Sequence, residues 1–375
     1  MSNPESRSSS LAETYKAGQS LWLDYISKSL LDGELQSLIR DDRIMGLTSN
    51  PAIFEQAIAK TGEYDDAILK ELATSPDISQ LELFNRLAIE DIQAAADAFA
   101  DTWKSTDGVD GMVSLEVTPD LADDAKGTVA MGIELHKRVN RPNLMIKVPG
   151  TKAGIAAFEA LTVLGVNVNV TLLFSVTRYR EIAQAYIRGL ERRLADGNPV
   201  DHIASVASFF VSRVDNEADK ALEAHGSNAA KALLGKIAIA NAKVAYGHFA
   251  NLFGSEQFSR LREHGAQPQR LLWASTGTKN LAYSDVMYVE ELIGPDTVNT
   301  LPPKTLDAFR DHGKAEARLT KGLNVAHQQL SALAELGISL NTITDKLEQA
   351  GIQSFAEAFD RLLTSLADKR KSADS

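Results

Sequence analysis

The sequence predicts an α/β fold, a (β/α)8 barrel of the TIM type with additional helices. Three observations predict it. Short apolar runs alternate with longer segments of helical periodicity, eight such runs can be counted, and seven helical crossovers fall between them. No composition break, internal repeat or low-complexity linker divides the chain. Residues 13–367 are therefore expected to form one barrel domain ending in C-terminal helices. A Ser/Glu-rich start at 1–12 is expected to lack order, and 368–375 form a polar tail. With 375 residues, 44% of them hydrophobic and 24% charged, the chain has ample apolar material for a large core.

Taken in order, the first strand is expected at 21–26, in Leu-Trp-Leu-Asp-Tyr-Ile, and the second at 44–50, ending in Thr-Ser-Asn before Pro51. The interval 51–110 holds more than one helix before a third strand at 111–118, which opens on Gly and alternates apolar with polar residues. The fourth strand, 143–149, runs from Asn to Pro, and a helix over 155–161 separates it from the Val-rich fifth at 166–173. A long amphipathic helix over 177–195 precedes the sixth strand at 202–211. Helices over 216–225 and 229–252 then lead to the seventh at 270–276, and the eighth follows at 297–301. From 304 to 366 the pattern is helical again, in segments expected either to cover the barrel mouth or to serve a dimer interface.

Composition excludes several function classes. The chain has no cysteine, which removes disulfides, thiol nucleophiles and thiolate zinc sites together. Its seven histidines are dispersed without metal-ligand spacing, so no metal is expected. A net charge of −11 argues against nucleic acid and acidic membranes as partners, because both are recruited by a basic field. The polar start offers no signal peptide and nothing later approaches a membrane-spanning run, so the expected location is cytoplasmic. The chain is expected to work as a monomer or a homodimer. An anionic substrate would need cations placed locally in its pocket.

Period two sorts barrel-strand residues by face, and catalytic groups belong at the carboxyl ends of the strands. Polar residues collect where apolar ones are the rule. Asp24 lies within the first strand, Glu116 shares a face with Ser114 and Thr118, and Asn167, Asn169 and Thr171 share another. Ser208 and Phe210 pair in the same way on the sixth strand. Lys147 lies between Ile146 and Val148, where an ammonium is costly to desolvate and the neutral amine is a nucleophile for a ketone. An internal ion pair with Glu116 or Asp24 accounts for it as well. Those two carboxylates stand either as acid and base or as charges that neutralise the lysine. Asn50, ahead of Pro51, is explained by helix capping alone. The polar run at 167–171 needs partners in the barrel, which a bound polyol or ordered water supplies. Arg213 and Lys279 would lie at the mouth, where barrel enzymes often hold phosphate, although single cations are usually solvated surface residues.

Four runs carry a resemblance: Gly46-Leu-Thr-Ser-Asn-Pro51, Asn143-Leu-Met-Ile-Lys-Val-Pro-Gly150, Asn167-Val-Asn-Val-Thr-Leu-Leu-Phe-Ser175 and Ala274-Ser-Thr-Gly-Thr-Lys-Asn280. In order and spacing they resemble transaldolase, in the longer of its bacterial subtypes, over roughly residues 15–360. The resemblance implies a class I aldolase-type barrel that moves a dihydroxyacetone unit from sedoheptulose 7-phosphate to glyceraldehyde 3-phosphate, giving erythrose 4-phosphate and fructose 6-phosphate. This is a step of the non-oxidative pentose phosphate pathway, and the resemblance implies that it needs no diffusible cofactor. It implies that Lys147 is the Schiff-base lysine, Asp24 the acid/base during carbon–carbon cleavage, and Glu116 the carboxylate that works through water with Thr171. It further implies that Asn50, Asn169 and Ser208 bind the dihydroxyacetone moiety and that Arg213 and Lys279 bind phosphate. Shorter members have Arg at the position of Lys279, and a lysine is a point charge without a bidentate fork.

Two rivals remain at this level. Fructose 6-phosphate aldolases use the same lysine but release free dihydroxyacetone; they resemble this chain with Gln at the Glu116 position and Tyr at the Phe210 position. A non-catalytic sugar-phosphate-binding barrel would use the same polar interior without covalent chemistry, but it has no chemical reason to keep Lys147, Asp24 and Glu116 buried together.

Overall fold

A computed structural model of the chain describes residues 9–373. Eight parallel strands close into one barrel in sequence order: β1 Gln19–Asp24, β2 Gly46–Thr48, β3 Met112–Glu116, β4 Leu144–Pro149, β5 Val168–Leu173, β6 Ser205–Phe210, β7 Arg270–Ala274 and β8 Thr297–Leu301. β8 pairs back onto β1, with Gln19 opposite Thr297, so no sheet edge is left open. Helices surround the strands, as the alternating pattern requires. β2 is much shorter than the expected 44–50, because Asn50 already caps the helix Pro51–Phe54 through Ile53 N at 3.0 Å.

Other boundaries move for local reasons. The helix expected over 229–252 breaks into Asn228–Lys231 and Ile237–Phe253, since Gly235 takes φ +69° and its N–H donates to Asp219 at 2.9 Å. Part of the unstructured start expected at 1–12 is helical: Ser9 caps Ser10–Lys16, and Leu11 is buried beneath it. Residues 1–8 lie outside the described span. At the other end the helix Leu340–Ala373 runs well into the polar tail expected from 368, held there by an ion pair of Lys369 with Asp65 and by Arg370 donating to Ile78 O at 2.8 Å. Residues 374 and 375 of that tail also lie outside the described span.

The inward residues sort into layers along the barrel axis. Ser20, Trp22 and Asp24 share one face of β1 from bottom to top. Trp22 fills the middle of the barrel and forces glycine at the facing position: a Cβ on Gly46 would stand 2.7 Å from the indole ring. Below it, a polar lock closes the amino end. Arg270 Nη2 donates to Asp110 Oδ1 at 2.9 Å, Arg270 Nη1 to Ser20 Oγ at 3.0 Å, Ser20 Oγ to Asp110 Oδ2 at 2.7 Å, and Trp22 Nε1 to Asp110 Oδ1 at 3.1 Å. The barrel is therefore solid from its base to the level of Trp22, and space remains only at the carboxyl end.

Removing one partner of this lock strands the other charge in a dry interior. Asp110→Ala is expected to cost about 3–5 kcal/mol of unfolding free energy, read from urea denaturation at neutral pH. A loss under about 1 kcal/mol would show that the lock does not hold the base together.

Candidate active site

Lys147 stands next to the end of β4, its register partners being Glu116 on β3 and Asn169 on β5. Its side chain is 5% exposed, so the polar atoms around it determine its behaviour. Nζ donates to the carbonyl of Ser49 at 2.9 Å and lies 3.3 Å from Glu116 Oε2. Ser49 is itself fixed, its hydroxyl donating to Ser114 O at 2.7 Å. The second-strand motif thus delivers a backbone acceptor to the lysine as well as the Asn50 cap.

Both carboxyls are found near the lysine, and burial raises the pKa of each above the ordinary carboxylate range. For Asp24 the opposing influences are the charge of Lys147, the Thr48 hydroxyl and Arg213. For Glu116 Lys147 opposes burial, while the charge of Asp24 adds to it. Their surroundings differ. Asp24 Oδ1 accepts from Thr48 Oγ1 at 2.7 Å, and Thr48 Oγ1 lies 2.7 Å from Thr300 Oγ1, so a chain of hydroxyls across β8, β2 and β1 ends on this carboxylate. Glu116 Oε2 makes no hydrogen bond to protein, and neither does the buried Thr171 Oγ1. Buried polar atoms without partners are uncommon and point to where a ligand or water binds. Thr48 and Thr300 carry a sequence signal of their own, polar residues on the inward face at strand ends, but nothing in composition separates them from structural threonines.

The Asn167–Thr171 run divides by height. Asn167 sits just before β5, where it donates to Pro142 O at 3.0 Å and accepts from Ala204 N at 2.9 Å; it staples strands together and stands apart from the site. Asn169 is buried, donating to Ser114 Oγ at 3.1 Å and accepting from Ser208 Oγ at 2.7 Å, which fixes Ser208 in the cavity wall. Thr171, opposite Pro149 on β4 and on the same face as Asn169, lines the cavity one layer higher; β5 bulges here, the four residues Val170 to Leu173 spanning the three from Ala207 to Phe209 on β6, and Leu172 takes φ +61°. Asn50 both caps its helix through Oδ1 and lines the cavity.

The cavity encloses about 230 Å³ at the carboxyl end of the barrel. Asp24, Lys147, Thr171 and Ser208 line it from the strands, Arg213 and Lys279 from the loops. Arg213 opens the helix Ser212–His225 and lies over the Phe210 ring at 5.3 Å; burial lowers its pKa from the ordinary value and the charge of Asp24 opposes that shift. Lys279 is exposed at the rim. Neither cation has a carboxylate within ion-pair distance among the described residues, which leaves both available to an anion. The Lys279 loop is tied to the same helix as Arg213: Tyr283 OH donates to Asp219 Oδ2 at 2.7 Å and Tyr288 OH to Asp215 Oδ2 at 2.9 Å. The C-terminal helix supplies Ser354 and Phe355, so it covers the barrel mouth. No sequence signal had placed either residue in the site. Among the described residues no cluster of three or more metal-ligating side chains occurs, and no helix is long and apolar enough to cross a membrane.

The site is thus an amine set between two carboxyls, beside hydroxyl and amide groups, with two cations at the rim. Over residues 21–366 the sequence matches the sequence model of the family described as Transaldolase/Fructose-6-phosphate aldolase. It is 43% identical to a transaldolase of Trichodesmium erythraeum, across 96% of this chain and 97% of the relative. It is similar to the transaldolase of Thiobacillus denitrificans at 44% (94% and 98% covered) and to that of Neisseria meningitidis at 46% (95% and 99%).

Asp215 gives a pH test of the Arg213 helix. Burial pushes its carboxyl up to about 6, against hydrogen bonds from Ala238 N and Tyr288. A folded-state pKa above the unfolded one means that ionisation costs the folded state. Stability from this group therefore falls as pH rises from the ordinary carboxylate range through about 6. Asp215→Asn removes the ionisation. Its stability relative to the natural chain is expected to rise by about 1–3 kcal/mol between about pH 4 and pH 7 and then level off, as followed by urea unfolding. A difference that does not change with pH would contradict the assignment.

Proposed function

The chain belongs to the transaldolase/fructose-6-phosphate aldolase family and carries transaldolase activity, and on that premise we propose that Lys147 is the Schiff-base nucleophile and that the cavity above it holds a ketose phosphate. The observation that carries this reading is the near-complete burial of Lys147 Nζ, 3.3 Å from Glu116 and inside the cavity that Asp24 also lines. The substrates we assign are sedoheptulose 7-phosphate and fructose 6-phosphate as donors, with glyceraldehyde 3-phosphate and erythrose 4-phosphate as acceptors, in the non-oxidative pentose phosphate pathway.

The lysine amine adds to the ketone, and the carbinolamine loses water to give an iminium. Glu116, with its pKa raised, passes the protons of this step through a water shared with Thr171; the unpartnered Glu116 Oε2 and Thr171 Oγ1 support that role. Asp24 then takes the proton of the hydroxyl next to the scissile bond. As that bond breaks, its electron pair moves into the iminium to form an enamine, and the aldehyde departs. The Thr300–Thr48 chain orients the Asp24 carboxylate for this transfer. An incoming aldehyde takes the enamine carbon, the steps reverse, and hydrolysis frees the lysine.

Asn50 and Ser208 bind the hydroxyls of the dihydroxyacetone unit, and Asn169 acts on it by fixing Ser208. Arg213 and Lys279 neutralise the phosphate at the rim. Glu116 beside the lysine and Phe210, which brings no hydroxyl to the wall, favour transfer over release. One copy completes the site, since the C-terminal helix packs over its own barrel, and this supports function as a monomer or as a homodimer of independent sites. The net charge of −11 supports a cytoplasmic protein that binds neither nucleic acid nor acidic membranes.

Borohydride reduction with fructose 6-phosphate, followed by peptide mass spectrometry, is expected to place a stable adduct on Lys147 and to leave Lys147→Ala unlabelled. An adduct on a different lysine would end the proposal. Asp24→Asn is expected to slow carbon–carbon cleavage by about 10²–10⁴-fold while imine formation, trapped in the same way, changes far less. Equal slowing of both steps would remove Asp24 from the cleavage step.

A further inference from the structure

Phe355 belongs to no barrel element, yet its ring centroid lies 5.8 Å from Lys147 Nζ and the residue is 6% exposed. Phe355 and Phe210 are the two aromatic rings of a cavity that Asp24, Thr48, Thr171 and Ser208 also line. The helix that carries Phe355 is fixed on both sides of it. Before it, Arg178 pairs with Glu348 at 3.3 Å, and Gly351 approaches the β5 bulge so closely that a Cβ there would stand 2.9 Å from Leu172 Cδ2. After it, Phe359 packs edge-on against Phe84 at 5.4 Å, and Arg361 pairs with Glu55 at 3.1 Å. Leu172, at φ +61° in the β5 bulge, is therefore also the seat of the covering helix.

We propose that Phe355 is a specificity-determining residue: its ring keeps proton-delivering water from the enamine carbon of the Lys147 adduct and so sets how the bound dihydroxyacetone unit divides between transfer to an aldehyde and release. The inference rests on the Schiff-base reading of Lys147. The enamine has two fates. In the first, its nucleophilic carbon attacks an acceptor aldehyde and a carbon–carbon bond forms. In the second, that carbon takes a proton relayed from water, and a water molecule then adds to the resulting iminium. This frees dihydroxyacetone and the lysine amine, with the water consumed balancing the one lost when the imine formed. Hydrolysis of the iminium ends both fates, so protonation of the enamine carbon is the step that separates them, and a fixed apolar ring beside the adduct denies a proton-relaying water a place there. The same ring lies within the range at which a π face attracts a cation, so it favours the iminium nitrogen without offering it a proton acceptor.

The test uses the full-length chain with fructose 6-phosphate, with and without glyceraldehyde 3-phosphate, measuring free dihydroxyacetone against transfer product. Phe355→Ala is expected to raise the ratio of release to transfer by about tenfold. Phe355→Leu, which keeps an apolar cover and guards against loss of the helix, is expected to raise it less than about twofold. An unchanged ratio in Phe355→Ala, with imine still trapped on Lys147, overturns the proposal alone, and so does an equal fall of transfer and release. Failure of the natural chain to trap imine on Lys147 overturns it together with the Schiff-base reading.

Discussion

A lysine side chain held almost dry inside a parallel barrel is the constraint to which the rest of this structure answers. An ammonium there has a large desolvation cost unless opposite charge and hydrogen-bond acceptors are close. The chain supplies them from two strands and a loop: Glu116 at 3.3 Å, Asp24 in the same cavity, and the Ser49 carbonyl at 2.9 Å. The pKa of each carboxyl is in turn raised by burial and opposed by the charge of Lys147. Ion pair and catalytic site are one arrangement, because the groups that make the lysine tolerable are those that can move its protons.

The barrel concentrates this arrangement at one end. Trp22 and the Asp110–Arg270 lock fill the base and middle, so polar side chains near the top have either a partner in the next strand or access to the cavity. Which of the two applies separates support from chemistry. Asn167 and Asn169 are engaged by neighbouring segments, whereas Thr171 Oγ1 is buried without a hydrogen bond and Glu116 Oε2 has only its ion pair with Lys147. Asn169 and Thr171, two residues apart on one face of β5, differ in height: the lower is bonded to Ser114 and Ser208 and the upper lines the cavity.

Above the barrel, two pieces of chain complete the cavity from a distance. The helix beginning at Ser212 holds Arg213 and anchors the Lys279 loop through Asp219 and Tyr283, so the spacing of the two rim cations is fixed by one helix. The helix Leu340–Ala373 brings Phe355 over the lysine. Neither contact is local in sequence.

The sequence by itself determined the barrel, the strand that carries each polar residue and the anomaly of Lys147. Those follow from period-two and helical patterning and from four ordered motifs, all of them properties of short segments. It could not separate Asn167 from Thr171, because alternation assigns a face and says nothing of height or of a bulge. It also left the last helices with two alternative roles, cover for the barrel mouth or dimer interface. Covering the mouth depends on where a segment near residue 355 packs against side chains more than two hundred positions earlier, and on whether Gly351 leaves room for Leu172. Faces and motifs are local, whereas heights, seats and lids arise only when distant segments meet. Tertiary structure therefore decided which of the polar residues touch the cavity and what closes it.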